Sequence, residues 1–310
     1  MTKKIAFVFP GQGSQSVGML ASFVDIPLVD QILNRACDTL GFDLKKLITE
    51  GPAEELNLTV NTQPALLTAS YAMYSYWRSL GGATPDIMAG HSLGEYSALV
   101  CAGALSFEDG LRLVRFRAEQ MQQAVPVGQG SMAAILGLPD EKVIEICKEA
   151  SGSGVVEAVN FNTPGQVVIA GEIAQLQDAM QRCKDAGAKR ALPLKVSGPF
   201  HSSLMKPAAN KLAERLADVE FTVPSIPILH NVDVKTRDTV DGIKSALSDQ
   251  VASAVLWSKT ILEMESMGIE TIYECGPGAA LTGMVKRITP SVSSKSINTL
   301  EAIDMALKEG

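Results

Sequence analysis

A short apolar segment that leads directly into a helical pattern constrains the fold of this chain more than any other feature. Ile87-Met-Ala-Gly90 is typical of a buried strand, and the residues from Leu93 to Cys101 are typical of a helix. Because only Gly90-His91-Ser92-Leu93-Gly94 joins them, the turn must be tight, and its glycines permit a close approach of backbone. A serine at such a turn predicts a nucleophile elbow, with the unpaired N–H groups of the helix aimed at the serine oxygen. The alternative is a serine that caps an ordinary helix.

Strands and helices alternate along most of the chain. Further strands are predicted at Ile5–Phe9, Ile226–Leu229 and Thr271–Tyr273, and helices at about 30–40, 64–79, 108–122, 204–216, 242–249 and 256–267. This alternation predicts an α/β fold with a mainly parallel sheet that helices cover on both faces. A length of 310 residues fits one large domain, or a large domain with a smaller one inserted.

The segment 128–196 has a different pattern, which predicts an inserted ferredoxin-like subdomain. Its predicted order is βαββαβ, with strands at 132–136, 155–160, 166–170 and 189–194 and helices at 140–150 and 173–186. Asn162-Thr-Pro-Gly165 is predicted to be a turn between the two middle strands. The large catalytic subdomain is therefore predicted to comprise 1–127 and 197–310, with a hydrolase-like sheet and elbow.

Composition excludes several classes of function. The net charge of −7 argues against nonspecific binding of nucleic acid, and the 5% aromatic content is too low for a base-stacking platform. No apolar run approaches the length of a membrane-spanning helix, and Ile5–Phe9 is shorter than the core of a signal peptide. The five scattered cysteines form no Cys-x-x-Cys pair, so we expect reduced thiols, no metal site and a cytoplasmic protein.

A serine nucleophile requires a base, and the chain has three histidines. His91 adjoins Ser92 on the sharp turn and should face away from it, in a packing or hydrogen-bonding role. His230 ends a predicted strand and is more typical of a structural histidine. His201 lies in a loop that opens a helix, so its side chain can point into a cleft. It is the best candidate for the general base.

The acidic member of a catalytic triad is missing from its usual place. In α/β-hydrolases the acid lies between the serine and the histidine in the chain. Here most of the stretch between Ser92 and His201 is the inserted subdomain. The acidic residues in the remainder of that stretch lie on or at predicted helices. We therefore expect a backbone carbonyl or an amide to orient His201 in place of a carboxylate.

Arg117 is the most informative charged residue. On their helix, Arg112 and Arg115 lie four residues from Glu108 and Glu119 and are typical of surface ion pairs. Arg117 instead lies among apolar residues, and a buried guanidinium must find an anion or cost several kcal/mol. It is either paired with a distant carboxylate or part of a pocket that binds a substrate carboxylate through two hydrogen bonds.

The turn Pro10-Gly11-Gln12-Gly13-Ser14 follows the first strand, at the edge where open sheets bind ligands. A phosphate-binding loop is excluded because Met19 stands where that motif has lysine. The backbone N–H of Gln12 could instead donate to a developing oxyanion. A plain tight turn is the alternative.

Five segments share their order and spacing with one known family. They are Phe9-Pro-Gly-Gln-Gly-Ser-Gln15, Gln63-Pro-Ala-Leu66, Gly90-His-Ser-Leu-Gly-Glu-Tyr-Ser97, Gly198-Pro-Phe-His201 and Gly276-Pro-Gly278. Together they span nearly the whole chain and resemble the malonyl-CoA:acyl-carrier-protein transacylases. This resemblance implies a ping-pong acyl transfer that serves fatty-acid synthesis. Ser92 would take the malonyl group from malonyl-CoA with His201 as base, and the pantetheine thiol of acyl carrier protein would then remove it.

The resemblance also implies roles for particular residues. Arg117 would hold the malonyl carboxylate, and the backbone N–H groups of Gln12 and Leu93 would form the oxyanion hole. Gln250 would orient the histidine through a carbonyl group, although a carboxylate partner from Asp249 stays possible. No cofactor or metal is implied, because the CoA thioester is itself a substrate.

Two residues depart from some relatives of this family. Phe200 stands before the histidine where some members have serine, and in related polyketide domains phenylalanine there accompanies a preference for malonyl over methylmalonyl groups. Ala279 stands where some relatives have lysine, so a contact with the carrier or with CoA at that position is in doubt.

Two functions of other classes stay open. A serine hydrolase would use the same serine and histidine but release a free acid, and a binding module would keep the fold without reacting. For the transacylase we expect a monomer with a local basic patch that meets an acidic carrier protein. Lys189, Arg190, Lys286 and Arg287 are the candidates for this patch, although each could be an ordinary solvated charge.

Overall fold

The computed structural model describes residues 3–309 and contains two sheets. The nine strands are β1 (Ile5–Phe9), β2 (Ile87–Gly90), β3 (Gly130–Leu136), β4 (Val156–Thr163), β5 (Gln166–Glu172), β6 (Arg190–Pro193), β7 (Ile228–Leu229), β8 (Thr271–Glu274) and β9 (Ser293–Ser296). The larger sheet has the order β7-β2-β1-β8-β9, and every neighbouring pair in it is parallel. The predicted α/β class with a parallel sheet is confirmed.

Helices connect these strands. They are α1 (Pro27–Leu40), α2 (Leu44–Glu50), α3 (Ala53–Leu56), α4 (Thr59–Ser79), α5 (Gly94–Cys101), α6 (Phe107–Gln123), α7 (Asp140–Ser151), α8 (Ile173–Asp185), α9 (Lys206–Ala217), α10 (Val240–Gln250), α11 (Trp257–Ser266), α12 (Ala280–Ile288) and α13 (Leu300–Glu309). Two short 3-10 helices lie at Ala21–Phe23 and Ser203–Met205. In the described part of the chain, no helix combines the length and apolar composition needed to cross a membrane.

Strand β1 shows why the parallel sheet is buried. All five of its residues are buried, and its side chains alternate between two apolar clusters on opposite faces of the sheet. Phe7 packs against Tyr74 and Trp77 of α4 on one face, while Ala6 and Val8 join the cluster under α11 and α12 on the other. Continuous apolar strands of this kind are typical of a sheet covered on both sides.

The smaller sheet is antiparallel and has the strand order β4-β5-β3-β6. With α7 and α8 it forms the βαββαβ unit that the sequence predicts for a ferredoxin-like subdomain. It contacts the rest of the molecule where Phe161 N donates to Val255 O at 3.0 Å and Val255 N donates to Val159 O at 2.8 Å. The boundaries 1–127, 128–196 and 197–310 stay a prediction.

Several strand limits differ from those predicted by one to three residues, including the end of β4 and the start of β7. Strand β4 continues to Thr163, so the turn comprises only Pro164 and Gly165, and Gly165 adopts a φ of +72°. Proline followed by glycine at positive φ suits the two central positions of a type II turn, so two residues connect the strands where the sequence predicts four. Strand β7 begins at Ile228 because Pro227 has no N–H to give to a neighbouring strand. Because β4 continues to Thr163, Asn162 lies on a strand and not in the predicted turn, whereas Asn160 lies on a strand as predicted.

The sharp turn between β2 and α5 depends on glycine. A Cβ on Gly90 would lie 1.8 Å from the carbonyl carbon of Gly94, and a Cβ on Gly94 would lie 2.0 Å from the carbonyl oxygen of Phe9. The register pairs Phe9 with Gly90, so the ends of β1 and β2 meet at one edge of the sheet. Backbone from three segments therefore packs where side chains would not fit.

We predict that Gly94→Ala lowers the free energy of unfolding by about 3 kcal/mol, because the new methyl group overlaps rigid backbone. Gly283→Ala is the matched control, since it also lies in a helix but its Cβ would have nothing within 4 Å. It should raise the stability by up to about 1 kcal/mol, because alanine favours helix more than glycine does. Urea unfolding measures both, and equal effects would contradict the steric explanation.

Candidate active site

Ser92 lies at the turn between β2 and α5 in a strained backbone conformation. Its φ is +52°, which residues other than glycine seldom adopt. The backbone N–H of Ser92 donates to Asn231 Oδ1 at 2.8 Å, and Asn231 Nδ2 donates to Gly90 O at 2.7 Å. One asparagine side chain thus holds both sides of the turn, and this geometry presents the serine hydroxyl to the cavity above the sheet.

His201 contacts the serine from the loop that follows the small sheet. Its Nε2 lies 2.7 Å from Ser92 Oγ, and its Nδ1 lies 2.9 Å from the backbone oxygen of Gln250. A carbonyl oxygen can only accept, so Nδ1 carries the proton and Nε2 is free to accept the proton of Ser92. Asp249 is exposed and accepts a hydrogen bond from Ser245 on its own helix.

The surroundings of His201 keep its imidazole neutral. Burial, followed by the positive charge of Arg117, lowers the pKa of His201 to about 3. A neutral imidazole with Nδ1 occupied is the form that can remove a proton from a serine. The residue also has a φ of +65°, so both members of the Ser92–His201 pair adopt strained backbone conformations.

Arg117 lies in the interior, where only 1% of its surface is exposed. Its Nη1 donates to Gln63 Oε1 at 2.8 Å, and its Nη2 donates to Gln250 Oε1 at 2.8 Å and to Ser92 Oγ at 3.2 Å. The guanidinium also lies 5.2 Å from the centre of the Tyr96 ring. Its hydrogen-bond acceptors within residues 3–309 are all neutral oxygens, so the distant carboxylate that the sequence left possible does not contact it directly.

Two residues that line the cavity with Ser92 have backbone N–H groups without a partner among the described residues. Gln12 follows β1 and Leu93 follows Ser92, and both line the same cavity as Ser92. Neither N–H donates to an acceptor among the described residues. Each is therefore available to a ligand oxygen, as an oxyanion hole requires.

The cavity lies between the two subdomains and has a volume of about 280 Å³. Its polar lining includes Ser92, His201, Arg117 and Gln63, and most of the other lining residues are apolar side chains from both subdomains. These include Met121, Met132, Val168, Leu194, Phe200 and Met284. Apolar walls with a few convergent polar groups are typical of a site for a small ligand.

Sequence reasoning missed the buried polar residues that support this site. Glu95 accepts hydrogen bonds from His230 Nδ1 at 2.7 Å and from Asn231 N at 2.9 Å. Asn162 lies 2.8 Å from His91 Nε2, and burial lowers the pKa of His91. The sequence did offer one indication that Glu95 is buried, because it occurs in a mostly apolar helix directly after the elbow.

The remaining charged candidates lie on the surface. Arg112 pairs with Asp109, and Glu108 pairs with Arg35, which corrects the expected Glu108–Arg112 pair. The helix places Asp109 three residues from Arg112, a spacing as favourable as four. The pair between Arg115 and Glu119 is present. Ala279 and the predicted patch of Lys189, Arg190, Lys286 and Arg287 are exposed.

Comparison with known proteins identifies the family. A family model described as the acyl transferase domain matches residues 6–302. The malonyl CoA-acyl carrier protein transacylase of Escherichia coli K12 is 52% identical over 98% of this chain and 99% of that protein. The chain belongs to the malonyl-CoA–acyl carrier protein transacylase family.

Two solved transacylase structures have the same fold. The acyl-carrier-protein S-malonyltransferase of Burkholderia pseudomallei 1710b is 55% identical and superimposes with a TM-score of 0.97, covering 98% of this chain and 99% of that one. A malonyl-transacylase in complex with its type II polyketide acyl-carrier protein is 48% identical and superimposes with a TM-score of 0.98. The match covers 99% of this chain and 100% of that one. The two-subdomain architecture is therefore that of the transacylase family.

The lowered pKa of His201 predicts a transacylase that stays active in mild acid. We expect kcat/KM for malonyl-CoA to be level from pH 8 to about pH 5, because His201 gains a proton only well below the range of an ordinary imidazole. The rate should fall as pH decreases further. Kinetics in a constant-ionic-strength buffer series measure this profile, and a loss of half the rate near pH 6.5 would contradict it.

Proposed function

We propose that this chain transfers the malonyl group from malonyl-CoA to acyl carrier protein through a malonyl ester on Ser92. The observation that carries this proposal is the buried cation beside the nucleophile. Arg117 Nη2 lies 3.2 Å from Ser92 Oγ and has no carboxylate as a direct partner among the described residues. A malonyl thioester has a carboxylate one methylene away from its reacting carbonyl, so it can contact both side chains at once.

In the first half-reaction, Ser92 Oγ attacks the thioester carbonyl while its proton passes to His201 Nε2. The carbonyl oxygen becomes negative and accepts from the N–H groups of Gln12 and Leu93. When the tetrahedral intermediate collapses, the C–S bond breaks and the CoA sulfur receives the proton from His201. CoA leaves as the thiol, and the malonyl group stays on Ser92.

In the second half-reaction, the pantetheine thiol of the carrier occupies the place that CoA has left. His201 takes the thiol proton, and the sulfur attacks the ester carbonyl with the same oxyanion donors in use. The C–O bond to Ser92 then breaks, and His201 returns the proton to Oγ. The Gln250 carbonyl accepts from Nδ1 throughout, so it holds the imidazole in one orientation without a triad acid.

This mechanism requires a nucleophile, a base, two N–H donors and a cation, and it uses no cofactor. Three further predictions from the sequence accompany it: a cytoplasmic location, a monomeric state and a carrier-binding patch that includes Arg190 and Arg287. These arginines are exposed and positively charged, so they could attract an acidic carrier protein electrostatically.

Incubation with malonyl-CoA should attach one malonyl group to the peptide that contains Ser92. The Ser92→Ala variant should carry no adduct, whereas the exposed Ser203→Ala control should be labelled like the native protein. Mass spectrometry of the digested protein measures this. Full transfer activity without an adduct at Ser92 would rule out the ping-pong mechanism.

The fate of the acyl group distinguishes the transferase from a hydrolase. With carrier protein present, malonyl should appear as the carrier thioester, because a thiol competes with water for the ester on Ser92. Release of free malonate alone would favour the hydrolase, and no reaction would favour a binding module.

We predict that Arg117→Met lowers kcat/KM for malonyl-CoA roughly 100-fold, since it removes a charged contact to the carboxylate. Transfer from acetyl-CoA, which has no carboxylate, should be retained. Arg115→Met is the matched control, because Arg115 lies on the same helix but pairs with Glu119. Steady-state kinetics with both thioesters measure the effect, and equal losses for malonyl and acetyl transfer would show that Arg117 is structural.

A further inference from the structure

A buried carboxylate faces Arg117 across a single amide side chain. Glu95 lies on α5 and has no exposed surface. Gln250 Nε2 donates to Glu95 Oε2 at 3.0 Å, while Gln250 Oε1 accepts from Arg117 Nη2 at 2.8 Å. The amide therefore turns its donor end to the anion and its acceptor end to the cation. In this orientation the amide dipole links Glu95 and Arg117 electrostatically, although the two side chains are not in direct contact.

The other contacts of Glu95 leave its charge available to Arg117. Its carboxylate also accepts from the backbone N–H of Asn231 and from His230 Nδ1, and among the described residues His230 is the one basic side chain in direct contact with it. Burial lowers the pKa of Arg117, and the charge of Glu95 opposes that change. Glu95 is thus the fixed anion of the network that contains the guanidinium.

The second buried carboxylate has a different role. Glu274 accepts from the backbone N–H groups of Leu281 at 3.1 Å and Thr282 at 2.7 Å, so it caps the start of α12. It has no hydrogen bond to Arg117 or Gln250. Among residues 3–309, Glu95 and Glu274 are the two buried acidic side chains, which makes Glu274 a matched comparison for Glu95.

We propose that Glu95 is a positioning residue that acts through Gln250 as the resident counter-charge of Arg117 and limits how tightly Arg117 binds the malonyl carboxylate. The inference rests on the proposed function, because it takes that carboxylate as the ligand of Arg117. In the empty site Glu95 compensates a buried cation. In the loaded site it competes with the substrate, which favours release of the malonyl group to the carrier.

The substitution Glu95→Gln removes the charge and keeps the shape. The amide oxygen can occupy the place of Oε2, where it still accepts from Gln250 and Asn231. The amide nitrogen then faces His230 Nδ1, which accepts if the imidazole changes tautomer. The orientation of Gln250 is thereby retained while the counter-charge is lost, so the variant tests charge and not hydrogen bonding.

The decisive measurement is equilibrium binding to protein that cannot react. In a Ser92→Ala parent, calorimetry at pH 8 gives the Kd of malonyl-CoA and of acetyl-CoA with and without Glu95→Gln. We expect malonyl-CoA to bind roughly tenfold more tightly when the charge is removed, because nearby charges of this kind interact strongly away from bulk water. Acetyl-CoA should bind as in the parent. Glu274→Gln should leave the ratio of the two Kd values unchanged.

The outcomes separate this inference from the proposed function. If the parent binds malonyl-CoA no more tightly than acetyl-CoA, the role of Arg117 is wrong and the inference falls with it. If the parent prefers malonyl-CoA but Glu95→Gln leaves that preference unchanged or weakens it, only the inference is overturned. A purely structural Glu95 would alter both thioesters alike, which also overturns it.

If Glu95→Gln folds poorly, a double-mutant cycle of unfolding stability with Arg117 tests the same proposal. We expect this change to lower the urea midpoint in the native background, since it leaves Arg117 without its counter-charge. In an Arg117→Met background the same change should not lower the midpoint, because Glu95 would there be the uncompensated ion. An equal decrease in both backgrounds would overturn the proposal.

Discussion

A positive charge held among neutral oxygens, next to a serine hydroxyl, is the constraint on which the site depends. Desolvation of a guanidinium costs several kcal/mol unless hydrogen bonds and opposite charge offset it. Gln63, Gln250 and Ser92 provide the hydrogen bonds, and Glu95 provides charge only through an intervening amide. The free protein therefore presents a cation without a direct anionic partner, and a ligand carboxylate can supply that partner.

The same cation also affects the base. Arg117 adds to the effect of burial in lowering the pKa of His201, so the imidazole is neutral before substrate arrives. In the proposed mechanism, a carboxylate that neutralises Arg117 would weaken that repulsion, and His201 would then accept a proton more readily. Substrate binding and proton transfer would thus be coupled through one side chain, without an acidic triad member.

The scaffold places these groups by parallel pairing and close backbone contact. Because Phe9 pairs with Gly90, the turn that contains Gln12 lies beside the elbow that contains Ser92. The positive φ of Ser92 is unfavourable on its own and is maintained by the hydrogen bonds of Asn231 and the contacts of Gly94. The histidine reaches the serine from the loop that follows the last strand of the inserted sheet.

Local patterns were enough to predict the α/β class, the βαββαβ insertion, the elbow and the burial of Arg117, because hydrophobic periodicity and glycine sterics act over a few residues. They also brought attention to Ser92 and His201, which the fold places 2.7 Å apart. The shared network of Glu95, Gln250 and Asn231 was not predictable. Glu95 and Gln250 are 155 positions apart in the chain, so the position of Glu95 in an apolar helix suggests burial but does not show which distant residue it contacts. Short-range chemistry determines the elements, whereas the partners of a buried polar group are determined by which distant segments the packed chain brings together.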